Sequence, residues 1–356
     1  MPFFKVFLCL LALLFLPGCD TSRTVEGYIT AYHTDEQDKL TGLSVQLLDG
    51  ETMTFVPAKD EEYRIVSWLG ADTLTEIQEK FPGDLLVSAK YGGKTTTLIQ
   101  PDGTQLPAYV ADWVMDIAHL KTPGAYTLPD GVTADLWEEW SQHNYCLPDR
   151  TELLRVDGHG PENVYGGSSM FAFEDLSPAV QERILAFYEA QGLLYDEFAE
   201  LERAYRFYLT DPDNFQSLWV GQEISPYYAN ENIISFLTTV TLPLSPGRID
   251  EFQLCHTFDR NTGEQISNYD LFTAPPEEVV RTLLELGNYQ YWDTPPVVEE
   301  IVMVLKPEYI HLSDDYLSID FPSGTFDERR YGFGFNHTPE TWKLIQPWAR
   351  PEQLTS

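Results

Sequence analysis

Short runs of alternating apolar and polar residues, broken at close intervals by glycine, proline and aspartate, constrain this 356-residue chain more than any other feature. Alternation with a period of two puts every second side chain on one face of a strand. The pattern predicts strands over residues 25–32 and 43–48, a turn at Asp49-Gly50 and a third strand through Met53 and Phe55. Thr73 and Glu76 then have the spacing of a capping box for a short helix with Leu74 and Ile77, stopped by Pro82-Gly83. Strands return over 85–91 and 94–100, Pro101-Asp102-Gly103 turns the chain, and another strand runs over 106–114. Short strands with one interposed helix lead us to expect a small β-barrel over 25–118, OB-like or SH3-like.

Pro, Gly and Thr gather between Lys121 and Gly131, so 119–212 reads as a linker followed by a helical middle segment. Thr133 is placed to cap a helix through Trp137 and Trp140. Ser177-Pro178 opens a second, with Val180, Ile184, Phe187 and Tyr188 on one side and a stop at Gly192. A third follows Asp196, with Phe198, Leu201, Ala204, Tyr205 and Tyr208 at helical spacing, a stripe that reads as core. From Tyr227 strands resume over 233–243 and 249–258, with a turn at Asp259–Gly263. Pro275-Pro276 opens a helix reaching Gly287, another covers 297–305, and strands over 308–312 and 316–321 are joined by Asp314-Asp315. Grouped strands with helices between them indicate the α+β class: small barrel, helical middle, and an α+β domain over 213–350.

At the N-terminus Lys5 precedes an apolar run over 6–16 and then Pro17-Gly18-Cys19-Asp20. The run is short of the ~20 residues of a spanning helix and fits the ~7–15 residue core of a secretory signal. Leu16-Pro17-Gly18-Cys19 resembles the lipobox of bacterial lipoproteins, with Pro17 departing from the usual small or β-branched residue. The resemblance implies a signal peptide over 1–18, a lipidated tether over 19–24, and Cys19 as the lipidation site. The protein is then expected at the cell membrane, lipid-anchored and facing the extracytoplasmic side. An ordinary secretory signal with a chance cysteine is the other reading. Cys146 and Cys255 lie far apart in sequence, and two buried thiols are expected rather than a disulfide.

Lys and Arg number 22 against 56 Asp and Glu, a formal charge of −34. Phosphate binding needs clustered cations, so nucleic acid is excluded as a partner. A negative field favours basic proteins, cationic peptides or divalent ions, although the same charge also serves solubility alone. Hydrophobic content of 43% is too high for a disordered chain.

Tyr227-Tyr228-Ala229-Asn230-Glu231-Asn232-Ile233-Ile234-Ser235-Phe236, then Thr257 through Ile266 and Asp270-Leu271-Phe272, resemble the RsiV-like C-terminal domain. That domain of unknown function is shared with lysozyme-sensing anti-sigma factors and a peptidoglycan deacetylase. The likeness covers about 213–350 and fails after Phe321, where Ser323-Gly324-Thr325-Phe326 replaces the family's tyrosine-rich segment. It implies a binding or sensing module for a cationic envelope protein such as lysozyme, or for a cationic peptide. With Cys19 as mature N-terminus, any signal has to pass through another protein.

Motifs for chemistry are sparse. Asp259, Asn261 and Asp270 match oxygen positions of a calcium loop, but Gly263 falls at the fifth place rather than the sixth, and a hairpin turn accounts for the same residues. His143, Cys146, Asp157 and His159 are of ligand type without ligand spacing. Gly166-Gly167-Ser168-Ser169 is not a nucleophile elbow, and Gly93-Lys94-Thr95 has Ser88 where a phosphate loop needs its leading glycine. Glu138-Glu139 and Asp314-Asp315 are acidic pairs whose neighbours face different ways. No catalytic residue and no cofactor is expected. The alternatives to a binding protein are a peptidoglycan-associated enzyme or accessory protein, and a structural surface spacer.

Overall fold

The computed structural model describes residues 22–57, 69–71, 73–139, 142–158, 173–287, 297–326 and 329–350, the side chains of 326 and 329–331 excepted. Two compact units divide the chain, Met1–Trp140 with Cys146–Asp149, and Ser141–Tyr145 with Arg150–Ser356.

The first unit contains β1 (Arg23–Thr34), β2 (Leu40–Leu47), β3 (Thr52–Pro57), α1 (Leu74–Lys80), β4 (Leu85–Ile99), β5 (Gln105–Thr127) and β6 (Thr133–Glu139). β1, β2 and β3 form an antiparallel meander, β3 runs parallel to β5, and β4 lies antiparallel to both β1 and β5. Gly27 in β1 sits against the Gln46 backbone of β2, where a side chain would collide with the carbonyl. Leu43, Phe55, Ile77 and Val87 are fully buried in the core between these strands and α1. The capping box of α1 is formed in both directions, Glu76 N–H donating to Thr73 Oγ1 at 3.2 Å and Thr73 N–H to Glu76 Oε2 at 3.3 Å.

The second unit holds β7 (Gln142–Cys146) up to Tyr145, β8 (Glu152–Asp157), α2 (Pro178–Gln191), α3 (Glu197–Thr210), β9 (Leu218–Ala229), β10 (Ile233–Ser245), β11 (Arg248–Asp259) and β12 (Gln265–Ile266). It continues with α4 (Pro276–Leu286), α5 (Val298–Val304), β13 (Ile310–Leu312), β14 (Tyr316–Phe326), β15 (Arg329–Asn336) and α6 (Pro339–Leu344). β8 pairs parallel with β9, and β9 to β12 form an antiparallel meander. The stripe Val180, Ile184 and Tyr188 of α2 packs on Phe236 and Phe258, while Val280 and Leu283 of α4 share a second core with Leu317, Ile319 and Phe321. Asp196 caps α3, its Oδ1 accepting from Phe198 and Ala199 N–H at 3.1 and 3.0 Å.

The architecture corrects the expected fold class: the chain is mostly sheet, with fifteen strands and six α-helices among the described residues. Among the described residues no small barrel stands apart, because β5 runs for 23 residues and leaves β4 near His119 to pair onward with β6. Nor do the described residues form a helical middle segment. Residues 133–139, 142–146 and 152–157 are strands, and α2 and α3 are the α-helices among the described residues of that stretch. Ala134 and Trp137 are both buried, a spacing of three that mimics a helix face. On a strand the same two residues point to opposite sides, and pairing with β5 overrides the local helix preference. Ser177 occupies the cap position of α2 without a side-chain cap bond, and Phe198 of the α3 stripe is 46% exposed. Cys146 and Cys255 are both buried thiols. No helix among the described residues is long and apolar enough to cross a membrane.

His256 of β11 is buried against the Phe187 and Tyr188 rings at 5.0 and 5.9 Å, its Nδ1 without a hydrogen-bond partner. Burial pushes its pKa from 6.5 down to about 4. The unfolded chain therefore binds the proton first, and stability is lost as pH falls from about 6.5 to about 4. A loss of about 3 kcal/mol is expected over that window, by the linkage of pKa to free energy. Urea unfolding at pH 7 and pH 4.5 should show this component in the native chain and not in His256→Leu.

Candidate functional site

The sequence-derived candidates are placed as follows. Cys19, His159 and the 166–169 segment lie outside the described residues. Asp259 serves its own turn: Oδ1 accepts from Asn261 and Thr262 N–H at 2.8 Å each, and Gly263 takes φ +72°. Asp270 is exposed in a 3₁₀ turn over Asn268–Leu271 that Ser267 caps. Among the described residues no group of three or more His, Cys, Asp or Glu side chains is placed to hold a metal. His143 Nε2 lies 3.1 Å from Glu197 Oε1, which also accepts from the Tyr145 hydroxyl at 2.6 Å, so His143 is engaged by a carboxylate. Glu138 pairs with Lys121 at 2.8 Å, and Asp314 and Asp315 lie at the surface, with partial desolvation and then the Asp315 charge raising the Asp314 carboxyl.

A concave site lies elsewhere, in the first unit. A pocket of about 200 Å³ is lined by Tyr32, His33 and Thr34 at the end of β1, Thr41 at the start of β2, and Leu98, Gln100 and Pro101 at the end of β4. Two turns frame it. Asp35 Oδ1 accepts from Gln37 and Lys39 N–H at 2.8 and 3.0 Å in the β1–β2 turn. Asp102 Oδ1 accepts from Thr104 N–H at 2.8 Å in the β4–β5 turn, with Gly103 at φ +85°.

His33 is the buried polar centre of this wall. Its Nδ1 meets Gln100 Nε2 at 3.1 Å and its Nε2 meets Ser44 Oγ at 2.8 Å, with Thr54 Oγ1 3.0 Å beyond. With the Gln100 amide donating to Nδ1, the ring proton sits on Nε2 and is donated to Ser44. His33 therefore has no lone pair to draw a proton from Ser44, and the pair is a structural relay rather than an activated nucleophile. Burial lowers the His33 pKa, which keeps the ring neutral near pH 7. Tyr32 is pushed up to about 12 by burial and then by the charge of Asp84, so it is a neutral phenol there too.

The lining offers hydroxyl and amide groups, donors as well as acceptors, and no charged side chain. The Gln100 side-chain oxygen is not used by the His33 contact, and Thr41 Oγ1, donating to the His33 carbonyl at 3.0 Å, keeps a lone pair. Sequence reading missed His33 and Gln100 because they lie 67 residues apart on unremarkable strand ends. Pairing at a distance brings them together, from β1 through β2 and β3 to β5 and the end of β4. Ser44→Ala removes a bonding partner from both His33 and Thr54, and is expected to cost about 1–2 kcal/mol by thermal or urea unfolding.

No protein-family model matches the sequence, and no curated protein matches it. Solved structures similar to the chain include two DUF3298 family proteins. One, from Pseudomonas aeruginosa PAO1, has a TM-score of 0.30 and 12% identity, covering 56% of this chain and 87% of that one. The other, from Bacteroides fragilis NCTC 9343, has a TM-score of 0.34 and 12% identity, covering 64% of this chain and 96% of that one.

Proposed function

We propose that this chain is a lipid-anchored extracytoplasmic protein that binds a cationic partner, a basic protein or cationic peptide met at the bacterial cell envelope. Its C-terminal half acts as an RsiV-like binding or sensing module. The observation that carries the reading is the excess of 56 acidic over 22 basic residues. A field of that sign draws in basic proteins and repels nucleic acid and anionic headgroups, so attachment at the membrane falls to the acyl chains on Cys19. The surface of α4 and α5 supports it locally: Glu277, Glu278, Glu285, Glu299 and Glu300 are exposed there, and Arg281 is bonded to Glu277 at 3.1 Å and paired with Glu299 at 3.6 Å.

Hen lysozyme, strongly basic, is a direct probe. Titrated into the full chain in detergent, it should bind at low ionic strength and weaken by about tenfold or more in 0.5 M salt, where charges are screened beyond a few ångströms. Absence of binding at low salt, or binding indifferent to salt, removes the reading. The anchor has its own check. Cys19→Ser should move the protein from the membrane to the soluble fraction of its host cells, and a variant that still sediments with membranes overturns the lipid assignment.

A further inference from the structure

We propose that the layer formed by β13, β14, β15 and α6 is an acid-sensitive latch, loosened from the meander by protonation of His311 and His337. The layer is a sheet of its own, because β13, β14 and β15 share no ladder with the meander among the described residues. It is held there by its core and by single polar bonds, such as that of Asn268 to the Ile310 carbonyl. The two histidines sit at its joints. His311 of β13 lies where the layer meets the meander, 2% exposed and edge-on to the Tyr227 ring of β9 at 6.2 Å. His337 follows β15 and stacks on Trp342 of α6 at 3.8 Å.

Each ring is housed for one proton and not for two. His311 Nδ1 is 3.5 Å from Asp320 Oδ2, an oxygen that Ser318 Oγ already bonds at 2.8 Å, and its Nε2 is buried without a hydrogen-bond partner. His337 donates from Nε2 to the Ser313 carbonyl at 2.9 Å, and its Nδ1 is buried without a partner. An imidazolium carries an N–H on both nitrogens, so each site has to bury a second donor together with a charge.

The groups around each ring set the sign. His311 is faced by Asp320 from β14, by the Tyr227 phenol from β9, and by the backbone carbonyls of Gln253 in β11 and Glu308 in the 3₁₀ turn before β13. His337 is faced by Asp315 and Asp314 and by the carbonyls of Ser313 and Tyr316. The carboxylates and carbonyls favour the charged rings, but burial outweighs them, and both rings are held below the ordinary histidine value of 6.5. The opened layer therefore takes up protons first, so its attachment is intact above about pH 6.5 and weakens as pH falls below it.

The test is hydrogen exchange of the full chain in detergent, read by mass spectrometry between pH 7.5 and pH 5.0 and corrected for the pH dependence of chemical exchange. Protection of β13 and β14 peptides should fall by about tenfold or more over that range. The double variant His311→Gln and His337→Gln, neutral at every pH, should remove most of the fall. Asp320→Asn takes away a charge that favours protonated His311 and lowers that ring further, so the fall should deepen. Protection that is unchanged at pH 5.0, or an undiminished fall in the double variant, overturns the proposal. Where the double variant does not fold, Asp320→Asn decides: a deeper fall supports the latch, and an equal or shallower one overturns it.

Discussion

The hydrogen-bond ladders of β5 are the constraint on which the first unit depends. This strand satisfies its backbone antiparallel to β4 from Gln105 to His119, parallel to β3 at Tyr109–Ala111, and antiparallel to β6 from Ala118 onward. A 23-residue strand that changes partner along its length cannot slip register without unpairing several neighbours. Phe55, Tyr91 and Tyr109, one from each of β3, β4 and β5, lock the crossing, with ring centroids 5.1 to 6.3 Å apart. The β1–β4 ladder joins the first halves of those strands, Arg23–Tyr28 with Leu86–Tyr91, while their far ends line the pocket from the β2 and β5 sides of the sheet.

The second unit solves a different problem, tying late chain segments to an antiparallel meander. Buried amides do this work. Asn268 Nδ2 donates to the carbonyls of Cys255 and Ile310 at 3.0 and 2.9 Å, fixing the 3₁₀ turn between β11 and the strand pair that follows. Asn230 Oδ1 accepts from Asn232 and Ile233 N–H at 2.8 and 2.9 Å, while its Nδ2 reaches the carbonyls of Trp348 and Arg350 at 3.2 and 3.1 Å. Tyr228 adds a hydroxyl bond to the Ala349 carbonyl at 2.9 Å. Buried polar groups paired this fully specify one arrangement of the chain end, because each alternative leaves an amide unsatisfied.

Features decided within a few residues could be read from the sequence. The Thr73–Glu76 capping box, the proline-opened helices at 178 and 276, and the Asp49-Gly50 and Asp259–Gly263 turns depend on local hydrogen bonds and backbone freedom. Features decided by pairing at a distance could not. Thr133–Glu139 contains good helix formers and becomes a strand because β5 offers a ladder. The candidate site follows the same division: Asp259 announced a turn and makes one, whereas His33 and Gln100 belong to no motif.

Net charge and local geometry divide the labour of recognition differently. A charge of −34 acts over a Debye length of ~8–10 Å, raising encounter rates with any basic partner and choosing none among them. Selectivity has to come from groups that are already paid for structurally and cannot rearrange. His33 is held in that way, by Gln100 on one nitrogen and Ser44 on the other. Since Ser44 is itself held by Thr54, the polar groups behind the pocket are fixed by bonds within the fold. Groups fixed in this way would lower the ordering cost of any binding in which they took part, which a diffuse field cannot do.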